Sequence, residues 1–110
     1  MFGKKPQQVE QNYDLEYFVL YDSKSSSYTH LFPSVNKFTF MREFENTFSD
    51  PQQRQSNQYY LNAEDFSIFR VAGYYKKTGS LDVLPAPEHV ANLNDIRNMV
   101  QKSSSGIVST

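Results

Sequence analysis

Leu61–Leu84 reads LNAEDFSIFRVAGYYKKTGSLDVL, and its reading decides the fold. Phe66–Tyr75, FSIFRVAGYY, carries the aromatic and β-branched residues that suit a pleated, half-buried surface. Alternation puts Phe66, Ile68, Arg70, Ala72 and Tyr74 on one face and Ser67, Phe69, Val71, Gly73 and Tyr75 on the other. Neither face is cleanly polar. The strand is therefore central, covered on both sides or covered on one and used for binding on the other. Gly73 inside it signals a bulge or a close backbone approach. Lys76–Ser80 follows as a hairpin turn in which Gly79 takes positive φ at little cost. Leu81–Leu84 returns as the partner strand, and Pro85 and Pro87, which lack a ladder donor, end the pairing. Upstream, Asn62 caps a helical turn whose Glu64 and Asp65 sit near its N-terminal end. That role accounts for the acidic pair better than a metal or catalytic site does.

Outward from this hairpin the chain is easy to segment. Leu15–Tyr21 is a strand with Leu15, Tyr17, Val19 and Tyr21 on one face and Glu16, Phe18 and Leu20 on the other. A Ser-rich loop leads to a shorter strand, Tyr28–Phe32, ended by Pro33. Ser34 or Asn36 caps a helix running to about Phe48, with Phe38, Phe40, Met41, Phe44 and Phe48 on one broad stripe. Asp50–Gln58 is polar and reads as a long loop. Glu88–Lys102 has helical spacing, with Val90, Leu93, Ile96, Met99 and Val100 on one face. The order β-β-α-β-β-α predicts an α+β fold, an antiparallel four-stranded sheet with helices packed on one face. Residues 1–12 are expected to be a disordered tail, 13–102 a single domain, and 103–110 a frayed C-terminal tail.

Composition narrows the function. The 110 residues include nine Phe and eight Tyr but no Trp, so large aromatics supply much of the burial. With 12 acidic and 11 basic residues the net charge is −1, which argues against a general polyanion binder. The absence of cysteine excludes disulfides and Cys-type zinc sites. His30 and His89, the only histidines, are far apart in sequence, and no metal or cofactor is expected. The N-terminus MFGKKPQQ lacks the apolar run of a signal peptide, and no stretch is long and apolar enough to span a membrane. No phosphate-binding glycine loop, Cys nucleophile or Ser/His/Asp spacing occurs, so no enzyme is expected. One constellation stands out: Tyr74, Tyr75, Lys76 and Lys77 at the hairpin end, with Arg70 behind them. Exposed sheet aromatics stack bases while neighbouring cations track phosphates. These five are the candidate DNA-binding residues.

Short pieces along the chain, in order and at consistent spacing, resemble the small nonstructural protein of gokushovirus-type microviruses, tailless phages with circular single-stranded DNA. The resemblance runs from about Tyr17 to Val90. It rests on Tyr21-Asp22-Ser23-Lys24, Phe32-Pro33-Ser34, Arg42-x-Phe44 with Asp50-Pro51, Glu64-Asp65-Phe66-Ser67-Ile68-Phe69, Gly73-Tyr74, Lys77-Thr78-Gly79 and Pro87. It implies a non-capsid phage protein of the infected bacterial cytoplasm that acts like microvirus protein C. That protein favours single-strand synthesis and packaging over further duplex replication. The implied partners are phage DNA, with single strands favoured, the phage replication-initiator protein and the procapsid. The resemblance brings no catalytic residues. The residues themselves also admit a protein-interaction module or a homo-oligomeric scaffold without nucleic-acid affinity.

Overall fold

The computed structural model describes residues 13–109, with side chains through Ser103. The tail expected over 1–12 lies outside the described residues. The elements are β1 (Leu15–Asp22), β2 (Ser27–Tyr28), β3 (Phe32–Ser34), α1 (Lys37–Ser49), α2 (Pro51–Ser56), α3 (Gln58–Leu61), a 3-10 turn (Ala63–Asp65), β4 (Phe66–Tyr75), β5 (Ser80–Asn92) and α4 (Leu93–Ser109). The fold is mixed α+β, with a curled antiparallel sheet and four helices.

The sheet runs β2-β1-β4-β5, and β3 also pairs with β1. Among the described residues five strands therefore stand where four were expected. The return strand is split because Thr29 leaves the ladder: its backbone N–H donates to the Leu20 carbonyl and its Oγ1 accepts from the Leu20 N–H. Pro33 does not end this strand but sits inside β3, opposite Tyr17, at an edge where a missing N–H costs no ladder bond. β5 likewise outruns its expected end at Leu84. Pairing with β4 lapses between Val83 and Glu88, so Pro85 and Pro87 fall in the gap, and it resumes through Asn92. An edge strand tolerates such prolines. The last helix consequently starts at Leu93, not Glu88, and its backbone is helical through Ser109, across most of the stretch expected to fray.

Asn36, one of two expected caps, accepts from the Thr39 N–H at 2.9 Å and starts α1. The polar stretch after it is not a loop. Asp50 caps α2 through the Gln52 N–H with Pro51 in the first turn, and Asn57 caps α3 through the Tyr59 N–H. Asn62, expected to cap the acidic turn, makes no side-chain cap there; its amide donates to Gln58 instead. Glu64 pairs with Arg97 at 3.0 Å, so it ties the turn to α4. Glu64 titrates below the usual carboxylate range, chiefly through backbone hydrogen bonding, with Arg97 adding to the effect.

Phe18 and Leu20 of β1, Ile68 of β4, Phe40 and Phe48 of α1 and Leu93, Ile96 and Val100 of α4 form one buried cluster with Ala63. Its rings interlock: Phe18 stacks on Phe40 at 4.7 Å, and Phe48 meets Tyr60 edge-on at 5.2 Å. No helix among the described residues is long and apolar enough to cross a membrane.

Candidate nucleic-acid interface

The register of β4 decides which side chains meet. Phe18 opposes Arg70 and Tyr17 opposes Ala72, so Val71 is an extra residue on β4. On β5 the same bulge separates Arg70, opposite Glu88, from Ala72, opposite Val83. Beyond Val71 every side chain changes face. Ala72 and Tyr74 therefore join Phe69, while Gly73 and Tyr75 join Arg70. The simple alternation expected for FSIFRVAGYY holds only to Arg70, and the five nominated residues are divided between the two faces.

Arg70 lies with the carboxylates. Its Nη2 is 2.7 Å from Glu88 Oε1 and its Nη1 is 3.3 Å from Glu16 Oε2. Only 17% of its side chain is exposed, and 12% of that of Glu16. Burial pushes the Glu16 carboxyl above its ordinary range, with Arg70 opposing the shift. The Tyr13 ring lies over this end, 6.0 Å from the Arg70 guanidinium and 5.1 Å from the Tyr75 ring. Its hydroxyl donates to Asp82 Oδ2 at 2.6 Å. Burial first, and then that carboxylate, pushes the phenol up to about 12. Tyr13 sits where Gly73 has no Cβ; a methyl there would run into its ring. Asp14 completes the attachment, its N–H donating to the Tyr74 carbonyl and its carboxylate accepting from the Lys76 N–H at 2.7 Å.

The opposite face is different in chemistry. Across β1, β4 and β5 its rows are Leu15–Tyr74–Leu81, Tyr17–Ala72–Val83, Val19–Phe69–His89 and Tyr21–Ser67–Asn92. Tyr28 of β2 extends the last row. None of these rows contains a carboxylate. Tyr21 and Tyr28 are 4.9 Å apart, Tyr28 and Phe69 5.9 Å, and Phe69 and His89 5.4 Å, so a chain of rings crosses the sheet. Beside it, Tyr17, Leu31, Ala72, Tyr74, Gly79 and Leu81 line an open cleft of about 450 Å³. Gly79, at φ 74°, turns the hairpin as expected, and its N–H donates to the Tyr75 carbonyl. Lys76 and Lys77 are exposed at this tip and have no ion pair among the described residues.

Of the nominated set, then, Tyr74 lies on the open face with Lys76 and Lys77 in the adjoining turn, and Arg70 and Tyr75 lie with the acidic cluster. Tyr17, Tyr21, Tyr28, Phe69 and His89 were not nominated. Their signal was present in β1, whose Leu15, Tyr17, Val19 and Tyr21 side carries no charge although one face of an exposed sheet is ordinarily polar. Among the described residues no group of three or more His, Asp or Glu side chains is arranged to hold a metal ion.

Comparison with known proteins adds one result. Residues 15–96 match the family described as Phage ORF5 protein. No curated protein and no solved structure matches the chain.

Proposed function

Because the chain belongs to the phage ORF5 protein family, we propose that it is a nonstructural protein controlling viral DNA replication and packaging, acting in the manner of microvirus protein C. In this reading it favours single-strand synthesis in the host cytoplasm by engaging single-stranded DNA on the open face of its sheet. The replication initiator and the procapsid are its protein partners. The observation that carries the reading is the four carboxylate-free rows of that face, with Tyr17, Tyr21, Tyr28, Phe69 and Tyr74 on or beside them and Lys76 and Lys77 at one end. Rings on a sheet stack unpaired bases whatever their sequence, and flanking cations hold the phosphates. Duplex DNA, whose bases are already stacked, gains nothing from such a surface. Confining the acidic groups near β4 and β5 to the opposite face lets a chain of net charge −1 present a surface that does not repel phosphate.

The test is fluorescence anisotropy with a labelled single-stranded oligonucleotide and a duplex control, at low and at physiological salt. Preference for the single strand, weakened several-fold in a Lys76→Ala/Lys77→Ala variant, is the expected result. No binding at high protein concentration sinks direct DNA recognition. The second reading, an interaction module, then takes over. It is favoured by the exposed apolar residues Leu31, Val35 and Phe38, which are 55%, 57% and 66% accessible. Pull-downs with the initiator and the procapsid address it.

A further inference from the structure

We infer that the cleft between Tyr17 and Tyr74 is a nucleobase pocket, which takes one unstacked base of the strand while the hairpin lysines hold that nucleotide's phosphate. This rests on the single-stranded DNA reading and goes beyond it. A stacking surface alone requires no pocket, and a pocket fixes which nucleotide of the strand sits at the hairpin.

Four features of the cleft point to that occupant. Its volume, about 450 Å³, falls within the roughly 300–1,000 Å³ of small-molecule sites. Its floor and walls are apolar: Ala72 is 6% exposed, and Leu31 and Leu81 stand at the rim with 55% and 56% of their surface open. A flat, apolar ring is what such walls accept. Tyr17 and Tyr74 are partly buried, and neither hydroxyl has a hydrogen-bond partner among the described residues. The phenols of Tyr13 and Tyr60, by contrast, bond to Asp82 and Gln101. Apolar walls with a few polar groups are the usual make-up of a site for an aromatic ring with a polar edge. Finally, Gly79 lines the cleft from the same turn that carries Lys76 and Lys77. A ring in the cleft therefore has cations within one turn of it, as a base joined to a phosphate needs. The two rows forming the cleft, Leu15–Tyr74–Leu81 and Tyr17–Ala72–Val83, hold no charged residue of either sign. A basic peptide side chain would be left there without a partner.

The clasp around Tyr13 explains why the cleft is preformed. Asp14 bonds the backbone at Tyr74 and Lys76, and so fixes the wall and the tip relative to β1, which supplies Tyr17. Binding then costs little ordering of the hairpin.

The experiment compares two labelled oligodeoxythymidylates of equal length, one intact and one in which consecutive central nucleotides are abasic. Both carry the same phosphates. Wild type is expected to prefer the intact strand by tenfold or more. Leu81→Glu places a charge at the exposed rim without disturbing the core and should erase that preference. Its thermal unfolding midpoint, checked alongside, should match wild type. Tyr74→Phe, which keeps the ring and removes the hydroxyl, should lower the preference a few-fold. Lys76→Ala/Lys77→Ala should weaken both strands equally. A preference that survives Leu81→Glu overturns the pocket and leaves the stacking face standing, whereas equal affinity for the two strands overturns the pocket and base stacking together. Failure of both strands to bind overturns both.

Discussion

Gly73 is the residue on which the hairpin's attachment turns. It is buried in β4 with the Tyr13 ring over its Cα, a place no other residue leaves open. Gly73→Ala should evict Tyr13 rather than unfold the sheet, since Tyr13 lies outside β1 and can swing away. The loss of its contacts with Tyr75 and Asp82 is partly offset by the ~0.5–1 kcal/mol that Ala gains over Gly within a strand. A net cost of about 1 kcal/mol is expected in urea unfolding. The diagnostic quantity is the double-mutant cycle. In a Tyr13→Ala background, Gly73→Ala should cost nothing or stabilise. Additive costs would mean that the ring is not what the methyl meets. The same phenol gives a pH signature. Its folded value is raised from 10.0 to about 12, so the unfolded chain releases this proton first. Its contribution to stability is thus whole below pH 10 and lost as pH rises towards 12. Wild type should lose stability more steeply across that window than Tyr13→Phe. Parallel curves would show that the phenol is not held by Asp82.

At the scale of elements, the legible parts were those in which one periodicity runs unbroken. α1 was readable from its Phe stripe, although Phe38, counted on that stripe, is 66% exposed at the first turn and only Phe40 and Phe48 are buried, and the turn at Gly79 was readable from glycine's freedom at positive φ. The Gly73 signal of a bulge or close approach was legible, but not that the extra residue is Val71. The bulge is set by how β1 and β5 pair with β4, not by β4 alone. That displacement by one residue moves Tyr74 away from Arg70, and unbroken alternation, which ignores it, made the nominated site look continuous. The continuation of β5 past its prolines was hidden for a similar reason: proline forbids a central strand, and only the sheet order reveals an edge. α2 and α3 were the opposite case, missed although their local signals were present. Asp50-Pro51 is a cap followed by a first-turn proline, and Asn57 is a second cap. Asp50 also marks the end of α1, its N–H donating to the Thr47 carbonyl. Asp50→Ala should therefore cost about 1 kcal/mol in urea unfolding, against a few tenths for Asp50→Gly. A cost below a few tenths for the alanine variant would mean that α2 does not depend on its cap.

For the whole molecule, the arrangement of charge says more than its sum. Glu16 and Glu88 gather on Arg70, Asp82 on Tyr13 and Asp14 on the Lys76 N–H, while the open face carries aromatic rings and apolar side chains. A protein of this kind should hold single-stranded DNA mainly by its bases and only weakly by its phosphates. Counterion release makes the dependence measurable: log K falls with log salt by about 0.7 for each phosphate neutralised on a single strand. If Lys76 and Lys77 are the two cations engaged, the slope should be roughly −1.4, and it should approach zero in Lys76→Ala/Lys77→Ala. Affinity would then change by about sevenfold between 50 mM and 200 mM salt, where a basic groove with 6–10 phosphate contacts loses about 10³–10⁵ on a duplex. A slope steeper than about −3 would rule out a two-lysine tip. It would require further cations, with Lys24, which is 76% exposed despite its 3.9 Å approach to Asp65, and Lys4 and Lys5 the first to substitute. A slope near −1.4 that persists in the double variant would place the phosphate contacts elsewhere on the face, and the tip would lose its assigned role.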